Sequence, residues 1–506
     1  AWARLCGGCA ALVLTGASLA EGSSMDDTFK SVLEAAKSLA LDQAGVAAVH
    51  EGNLTWMDTS GIGGNPAGRY AVPVFPDEAQ AGLAPLCALW RSSIDYDVCR
   101  ETLVMGPKDA LVVSIATPPA VEYFGVQPNV WMRNISLTPF AAVADALNLD
   151  TLNLTGGAEF NASAVVVTAF DANTAALVWD ALVQAGVDEA ALNLNVLPPS
   201  IEWINVTATD PWNGPGFDQL QLLVRANGFN ASAATTDYFD STTPSFLFQV
   251  TQDPFGGVEP LPFPGRKGRG GSGETESHLA DALSGLQDDV VLALETEGWT
   301  LTSKFDLEVY LPDDARCLVD EDYAPVLPDI PQLNITGTPT CDRFTNDALY
   351  TMTPSTLSPA DAFYFPPNRQ FVAVGVNHNA TGKAAHLNFM LSCINGTDFS
   401  SKDQTFEHAG HTFYLNASDI AGSGAAWSDD SGTAADVDSL FAWRFARTCP
   451  EPESGEVYAT YCTEVSTEAV DPSLPVWFVY RAYLEAGTHN GASPNETLRT
   501  TILIFD

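Results

Sequence analysis

The chain has 506 residues, of which 46% are hydrophobic, and 22 basic against 63 acidic side chains give it a net charge of −41. That length suffices for two to four domains with buried cores. A surface this acidic repels nucleic acid and anionic lipid. The composition therefore argues against a nucleic-acid-binding protein, a disordered tail and an integral membrane protein.

The N-terminal stretch AWARLCGGCAALVLTGASLAEG contains the regions of a secretory signal peptide in their usual order. Arg4 supplies the positive charge, a short apolar run follows, and small residues precede Glu21. The apolar run is too short to cross a bilayer. We predict that residues 1–20 are a signal peptide and that the protein is secreted or displayed at the cell surface, with no transmembrane segment.

Sequons for N-linked glycosylation are in excess. Eleven of the 24 asparagines begin an Asn-X-Ser/Thr triplet, where chance would give about four. We predict N-linked glycans at all of them: Asn53, Asn134, Asn153, Asn161, Asn205, Asn230, Asn334, Asn379, Asn395, Asn416 and Asn495.

Seven cysteines follow the signal peptide, and secretion favours disulfides. Pairing of nearest neighbours closes short loops, each worth roughly 3 kcal/mol of stability. Cys393 is left over, and other pairings stay open. The predicted disulfides are Cys87–Cys99, Cys317–Cys341 and Cys449–Cys462.

Residues 21–255 are predicted to form an α+β domain. An amphipathic helix is expected over residues 26–44. The clearest unit is β-α-β over residues 163–197: a buried strand SAVVVTA, a helix capped by Asp171 or Asn173 and ended by Gly186, and a second strand. No glycine-rich phosphate loop follows the first strand, so a nucleotide site of the Rossmann type is not indicated.

Residues 256–275 are rich in proline and glycine and read as a linker. They contain Arg266, Lys267 and Arg269, which form a minimal R-x-x-R processing site. A solvated basic loop is the favoured interpretation of these residues, and proteolytic cleavage after Arg269 is the alternative.

Residues 276–506 are predicted to form a helix followed by a mostly antiparallel β-sandwich, which makes the whole chain α+β. Five apolar residues lie on one stripe of the expected helix over residues 276–297: Leu279, Leu283, Leu286, Val290 and Leu294. Short strands separated by turn residues follow, as in sandwich domains.

No familiar catalytic string is present: the chain lacks G-x-S-x-G, H-E-x-x-H, an EF-hand loop and a P-loop. Five of the seven histidines, however, fall after residue 370. In QTFEHAGHTFYL, a two-residue turn at Ala409 and Gly410 would place His408 opposite His411. Two facing imidazoles can bind zinc or copper, although an exposed polar pair beside a turn is the more common outcome.

The stretch GVNHNATGKAAHLNF suggests a second hairpin. If its two strands pair, His378 and His386 lie on one face, one diagonal step apart. Were the two hairpins adjacent, four imidazoles could converge, and Glu407 or Glu485 could add a carboxylate as ligand or general base. Separate surface histidines are the alternative.

Two further features could bind ligands. The loop SDDSGTAADVDS offers four carboxylates to calcium, without the spacing that fixes an EF-hand site. Trp427, Trp443 and Trp477 could stack on sugars, although strand spacing fits core packing better. The four carboxylates are those of Asp429, Asp430, Asp436 and Asp438.

The sequence therefore predicts a secreted, heavily N-glycosylated acidic protein. Its most specific predicted activity is that of a metal-dependent extracellular hydrolase, with zinc as the expected metal and Glu407 as the catalytic base. The alternative is a non-catalytic cell-surface or matrix glycoprotein that binds calcium or carbohydrate. The predicted metal ligands are His378, His386, His408 and His411.

Overall fold

The structure is a computed structural model, and it shows a mixed α/β protein made mostly of sheet. The predicted signal peptide lies outside the described residues. The structure describes residues 27–43, 45–57, 68–75, 103, 105–133, 141–203, 218–229, 233–240, 245–252, 257–264, 271–309, 345, 347–354, 364–393, 413–428, 434–450, 460–473 and 475–506.

The first half of the chain builds one ten-stranded sheet. Its order is β5-β4-β9-β2-β1-β10-β3-β7-β8, with β6 paired to β4. Neighbours are antiparallel except β7 and β8. The strands are β1 Val46–Met57, β2 Gly68–Val74, β3 Ala110–Ala116, β4 Val121–Arg133, β5 Ala141–Ala142, β6 Leu147–Asn148, β7 Ser163–Ala169, β8 Leu192–Val196, β9 Asp218–Phe229 and β10 Ser245–Gln252.

The β-α-β unit forms as the sequence predicts. Helix α2, Ala172–Ala185, joins β7 to the parallel strand β8. The Asp171 carboxylate accepts the backbone N–H of Thr174 at 2.9 Å and caps the helix. Gly186 ends it at φ 104°, a left-handed conformation that glycine adopts without steric cost.

Both faces of this sheet are covered, which explains the continuous apolar run of β7. Ala164 and Val166 join a core on one face, whereas Val165 and Val167 pack on the other against two helices. Those helices are α1, Asp27–Leu41, and α2. A third helix, α3, spans Ala233–Asp240.

The second half builds two five-stranded sheets. Their orders are β11-β20-β14-β17-β18 and β12-β13-β19-β15-β16, and their facing side chains share one aromatic-rich core. The strands are β11 Leu301–Asp306, β12 Glu308–Val309, β13 Ala348–Met352, β14 Gln370–Val376, β15 His386–Cys393, β16 Phe413–Asn416, β17 Leu440–Ala446, β18 Cys462–Glu464, β19 Val476–Tyr483 and β20 Thr501–Phe505.

Helix α4, Ala280–Thr296, covers the outer face of the sheet that contains β14. The five residues of the predicted apolar stripe, four on α4 and Leu279 immediately before it, are all buried there against β14, β17 and β20. Burial of such side chains contributes about 1.5–3 kcal/mol each, so the stripe decides which side of the helix meets the sheet. Three short helices follow: α5 Ala417–Ile420, α6 Ser423–Trp427 and α7 Ala434–Val437.

The Cys449–Cys462 disulfide is confirmed, with the two Cα atoms 5.9 Å apart. It ties the end of β17 to β18, which lies parallel beside it. The other two predicted pairs lie outside the described residues. Among the helices that the structure describes, none is long and apolar enough to cross a membrane.

Candidate functional site

The prediction that the residues around His378 and His386 form a hairpin is wrong. His378 follows β14, which pairs with β17 and β20, whereas His386 opens β15, which pairs with β16 and β19. The segment between them therefore crosses from one sheet to the other instead of turning back. The backbone N–H of Ala384 bonds the carbonyl of His378 at 2.9 Å and closes this crossing.

His378 is buried in a network centred on a carboxylate. Its Nδ1 lies 2.8 Å from Oε1 of Glu276, and both side chains are about 1% exposed. The Glu276 carboxylate also accepts the Thr381 hydroxyl at 2.6 Å and the Leu498 backbone N–H at 2.8 Å. Burial alone would raise the pKa of Glu276, but His378 and these donors lower it below its ordinary value.

A second network, partly buried, lies on the same crossing. The Lys383 ammonium donates to Glu485 at 2.5 Å and to Glu496 at 2.7 Å, and the Ser272 hydroxyl lies 3.0 Å away. Burial alone would lower the pKa of Lys383, but the two carboxylates raise it above its ordinary value.

The chemistry open to this second network is limited by that charge. A serine beside a lysine is a nucleophile–base arrangement only when the amine is neutral. With a raised pKa, Lys383 keeps its proton at neutral pH and cannot accept one from Ser272. Glu485, a predicted candidate for ligand or base, instead accepts hydrogen bonds from both of them.

The two halves of the chain meet at a polar junction. The Tyr123 hydroxyl of β4 donates to Oδ2 of Asp347 at 2.9 Å, and both residues are buried. Burial raises the pKa of Asp347 to about 7, against hydrogen bonds from Asn148 and Tyr123 that lower it. The Tyr123 and Tyr483 rings pack 4.7 Å apart across the same junction.

A buried guanidinium completes this junction. Arg225 of β9 donates to the Gln127 side chain at 2.5 Å and is 2% exposed. Burial raises the pKa of the Tyr350 phenol, as it does that of Asp347, and the positive charge of Arg225 opposes the rise in both. A charge buried this deeply needs such partners to be tolerated, so the junction is specified by polar contacts as well as by packing.

His386 also takes part in the contact between the halves. Its Nδ1 lies 2.5 Å from Oε2 of Glu122 on β4, and its ring is fully buried. Gly228 of β9 leaves the space for this pair, since a Cβ there would lie 2.7 Å from the imidazole. The other ring nitrogen, Nε2, has no hydrogen-bond partner among the described residues.

A carboxylate on Nδ1 is also how proteins orient a metal-bound histidine. Yet no group of three or more His, Cys, Asp or Glu side chains in the described part of the chain is placed to hold a metal ion. His408, His411 and Glu407 lie outside the described residues. The zinc site that they would complete stays a prediction.

The other predicted ligand sites are seen in part. Asp429 and Asp430 lie outside the described residues, so the calcium loop also stays a prediction. Trp427 and Trp443 are buried at 4% and 8% exposure, as core packing predicts. Trp477 is half-buried.

The predicted linker is anchored at both ends. Before its basic stretch, the Leu261 N–H bonds the Phe170 carbonyl at 2.7 Å, on the first half. After it, the Ser272 hydroxyl donates to Glu485 and the Gly273 N–H donates to Glu496, both in the second half. The basic residues, Arg266 to Arg269, lie outside the described residues.

We expect the halves to stay together when the chain is cut within this basic stretch. The junction of Tyr123, Asp347, Glu122 and His386 does not depend on the covalent connection. With a specific protease site inserted after Arg269, the two fragments should co-elute in size-exclusion chromatography and separate in urea. Separate elution without denaturant would contradict the expectation.

The asparagines divide into two groups by exposure. Six sequon asparagines are described, and none is buried: five are exposed and Asn416 is half-exposed. Of the ten described asparagines outside sequons, eight are buried. The exposed sequon residues are Asn53, Asn153, Asn161, Asn379 and Asn495; the buried group is Asn129, Asn148, Asn193, Asn195, Asn227, Asn377, Asn388 and Asn490.

Sequence reasoning missed the acidic partners that organise these networks. Glu276, Glu122 and Asp347 each lie far along the chain from the residue they contact. In a chain with 63 acidic residues, no local signal separates a buried carboxylate from a solvated one. Only contact across the fold identifies them.

No known protein family matches the chain, and no curated protein matches it. Among solved structures, an uncharacterised protein from Burkholderia cenocepacia aligns over 95% of this chain and 94% of its own, with 11% identity and a TM-score of 0.35. A truncated AlyQ with CBM32 and alginate lyase domains aligns over 90% and 97%, with 11% identity and a TM-score of 0.14. Likenesses this weak do not show a shared fold.

Proposed function

We propose that the protein is a secreted, N-glycosylated, acidic glycoprotein of the cell surface or extracellular matrix, without catalytic activity of its own. It comprises an α+β domain and a β-sandwich domain on either side of residues 256–275. The partition of the asparagines is the observation that carries this proposal.

Glycan transfer requires an asparagine that reaches solvent, because the added sugar is bulky and hydrophilic. A sequon that arises by chance falls on buried and exposed asparagines alike. Here none of the six described sequon asparagines is buried, against eight of the ten others. That contrast supports use of the sequons as glycan sites, and therefore passage through a secretory pathway.

The contacts of the described histidines support a structural role over a catalytic one. His378 contacts Glu276 within the second half, and His386 contacts Glu122 and so joins the first half to the second. General bases and metal ligands of an open site need access to a substrate, whereas both rings are almost fully buried. The predicted calcium or carbohydrate binding remains part of the proposal.

The test is glycan mapping after secretion of the full chain from a eukaryotic host. We expect release by peptide N-glycosidase in heavy-oxygen water to label the exposed sequon asparagines, including Asn53 and Asn495. A secreted protein without glycan at any sequon would overturn the proposal. Elemental mass spectrometry of the same sample tests the competing hydrolase, since stoichiometric zinc would favour it.

The mapping should also distinguish one sequon from the others. The Asn379 amide nitrogen donates to the carbonyls of Ala384 and Ala385, at 3.0 and 2.9 Å. A glycan replaces one of its two hydrogens and so removes one of these bonds. We therefore expect lower glycan occupancy at Asn379 than at Asn495.

A further inference from the structure

A cleft of about 720 Å³ opens on the first half, between the segment after β6 and the turn before β8. Ligand sites in proteins typically have volumes of roughly 300–1,000 Å³. Its lining combines three carboxylates, those of Asp150, Glu159 and Asp188, with leucine side chains such as Leu149 and Leu154. Among the described residues, no lysine or arginine lines it.

Asn153, one of the predicted glycan acceptors, lines this cleft. Its backbone is held on both sides by the buried side chain of Asn193. The Asn153 N–H donates to Asn193 Oδ1 at 2.7 Å, and Asn193 Nδ2 donates to the Asn153 carbonyl at 3.0 Å. The acceptor asparagine is therefore held in place at the edge of the cleft by a residue that is itself 4% exposed.

The attachment atom is held as well. Asn153 Nδ2 donates to the Leu192 carbonyl at 3.0 Å. A side-chain amide has two hydrogens, and N-glycosylation replaces only one of them. The bond to Leu192 can therefore persist in the glycosylated protein and fix the direction in which the sugar leaves Asn153.

The turn shortly after Asn153 contains two glycines. Gly156 and Gly157 have φ of 68° and 67°, and a Cβ on either would meet no atom of the described residues within 4 Å. Both also line the cleft. Both adopt the left-handed conformation that glycine tolerates best, and they add no side chain to the cleft.

We propose that the cleft holds the first sugars of the N-linked glycan on Asn153, so that this glycan packs against the protein. The inference rests on the proposed glycosylation. Carboxylate oxygens accept hydrogen bonds from sugar hydroxyls and from the N–H of an N-acetyl group. Leucine side chains offer apolar surface to the C–H face of a sugar ring.

The lining residues also limit the classes of ligand that the cleft can hold. The three carboxylates disfavour an anionic ligand, since no lysine or arginine is among the described lining residues and the one basic contact is that of His489 with Asp150, at 3.4 Å. They do not form a metal site, since no metal-holding group is found in the described part of the chain. Neutral sugars fit both conditions, and the tethered glycan has a high effective concentration at the cleft.

The experiment compares two glycans on the folded, secreted protein. Peptide N-glycosidase is added without denaturant, and release is followed at Asn153 and at the exposed Asn495 by peptide mass spectrometry. We expect release at Asn153 to be roughly tenfold slower, because the glycan must leave the cleft before the enzyme can bind it. After denaturation, the two rates should become equal.

A double variant, Asp150→Ala with Glu159→Ala, removes acceptors at exposed positions and should speed release at Asn153 alone. Equal release from the two sites in the folded protein, or no glycan at Asn153 when Asn495 carries one, would overturn this inference only. Absence of glycan from every sequon would overturn the proposed function and the inference together.

Discussion

As the pH rises from about 4 to about 7, the Asp347→Asn variant is expected to lose about 4 kcal/mol less unfolding free energy than the unchanged protein. The ordinary pKa of this carboxyl is 3.8, and burial raises its pKa to about 7 in the folded protein. Each unit of difference corresponds to about 1.4 kcal/mol. Urea unfolding followed by tryptophan fluorescence across this range measures the effect.

The sign follows from proton binding. Above about pH 4 the unfolded chain releases the Asp347 proton, whereas the folded protein keeps it until about pH 7. The folded state then binds more protons than the unfolded state, so stability falls as pH rises. Asparagine does not titrate, so the variant lacks this contribution and gains stability relative to the unchanged protein above neutral pH.

Asp180→Asn provides the matched control, because Asp180 is exposed on α2. It changes the net charge equally and should leave the pH dependence close to that of the unchanged protein. Asp109, whose pKa burial raises to about 6, adds a decline that both variants retain. Identical pH profiles for Asp347→Asn and Asp180→Asn would contradict a buried carboxyl at the junction.

Replacing Glu276 with alanine is expected to lower the unfolding free energy at pH 7 by roughly 3–5 kcal/mol, the usual cost of removing one partner of a buried pair. His378 would lose its carboxylate, and the Thr381 hydroxyl and the Leu498 N–H would lose an acceptor. Unsatisfied buried donors each carry a desolvation cost. Equilibrium unfolding in urea gives the difference directly.

The effect of Glu276→Ala on the unfolding free energy should depend on pH in the opposite sense to the contribution of Asp347. The pKa of Glu276 lies below its ordinary value of 4.5 in the folded protein. Its contribution is therefore present above that value and is lost as pH falls through the folded pKa. The difference between the variant and the unchanged protein should shrink in acid.

Glu274→Ala is the control for Glu276→Ala, since Glu274 lies two residues earlier and is exposed. We expect its unfolding free energy to change by less than about 0.5 kcal/mol, as for most surface substitutions. Equal effects of the two substitutions would show that the buried Glu276 network does not stabilise the second half.

The spacing of apolar residues was sufficient to predict a helix that buries one face and a strand that is buried on both faces. The stripe on α4 and the β-α-β unit at β7 appear at the expected residues. In both, apolar spacing acts over a few residues, and in the β-α-β unit a side-chain cap adds to it, so local sequence specifies the element. The Cys449–Cys462 disulfide belongs with them, because short loops bring neighbouring cysteines together.

The hairpin around His378 failed because a turn and a crossing between sheets use the same residues. Both need a polar, glycine-containing connection such as NHNATGK between two apolar strands. Which of them forms depends on the partners of β14 and β15, and these lie far along the chain.

By itself, the sequence determined the charge of the protein, its sequons, the β-α-β unit and the buried stripe of α4, since each is read from adjacent or periodic residues. Only the tertiary structure decided which of 63 acidic side chains became buried partners of His378, His386 and Tyr123. It also decided that Asn153 lies at the edge of a cleft. Burial depends on what packs over a residue, and here those groups come from segments distant along the chain.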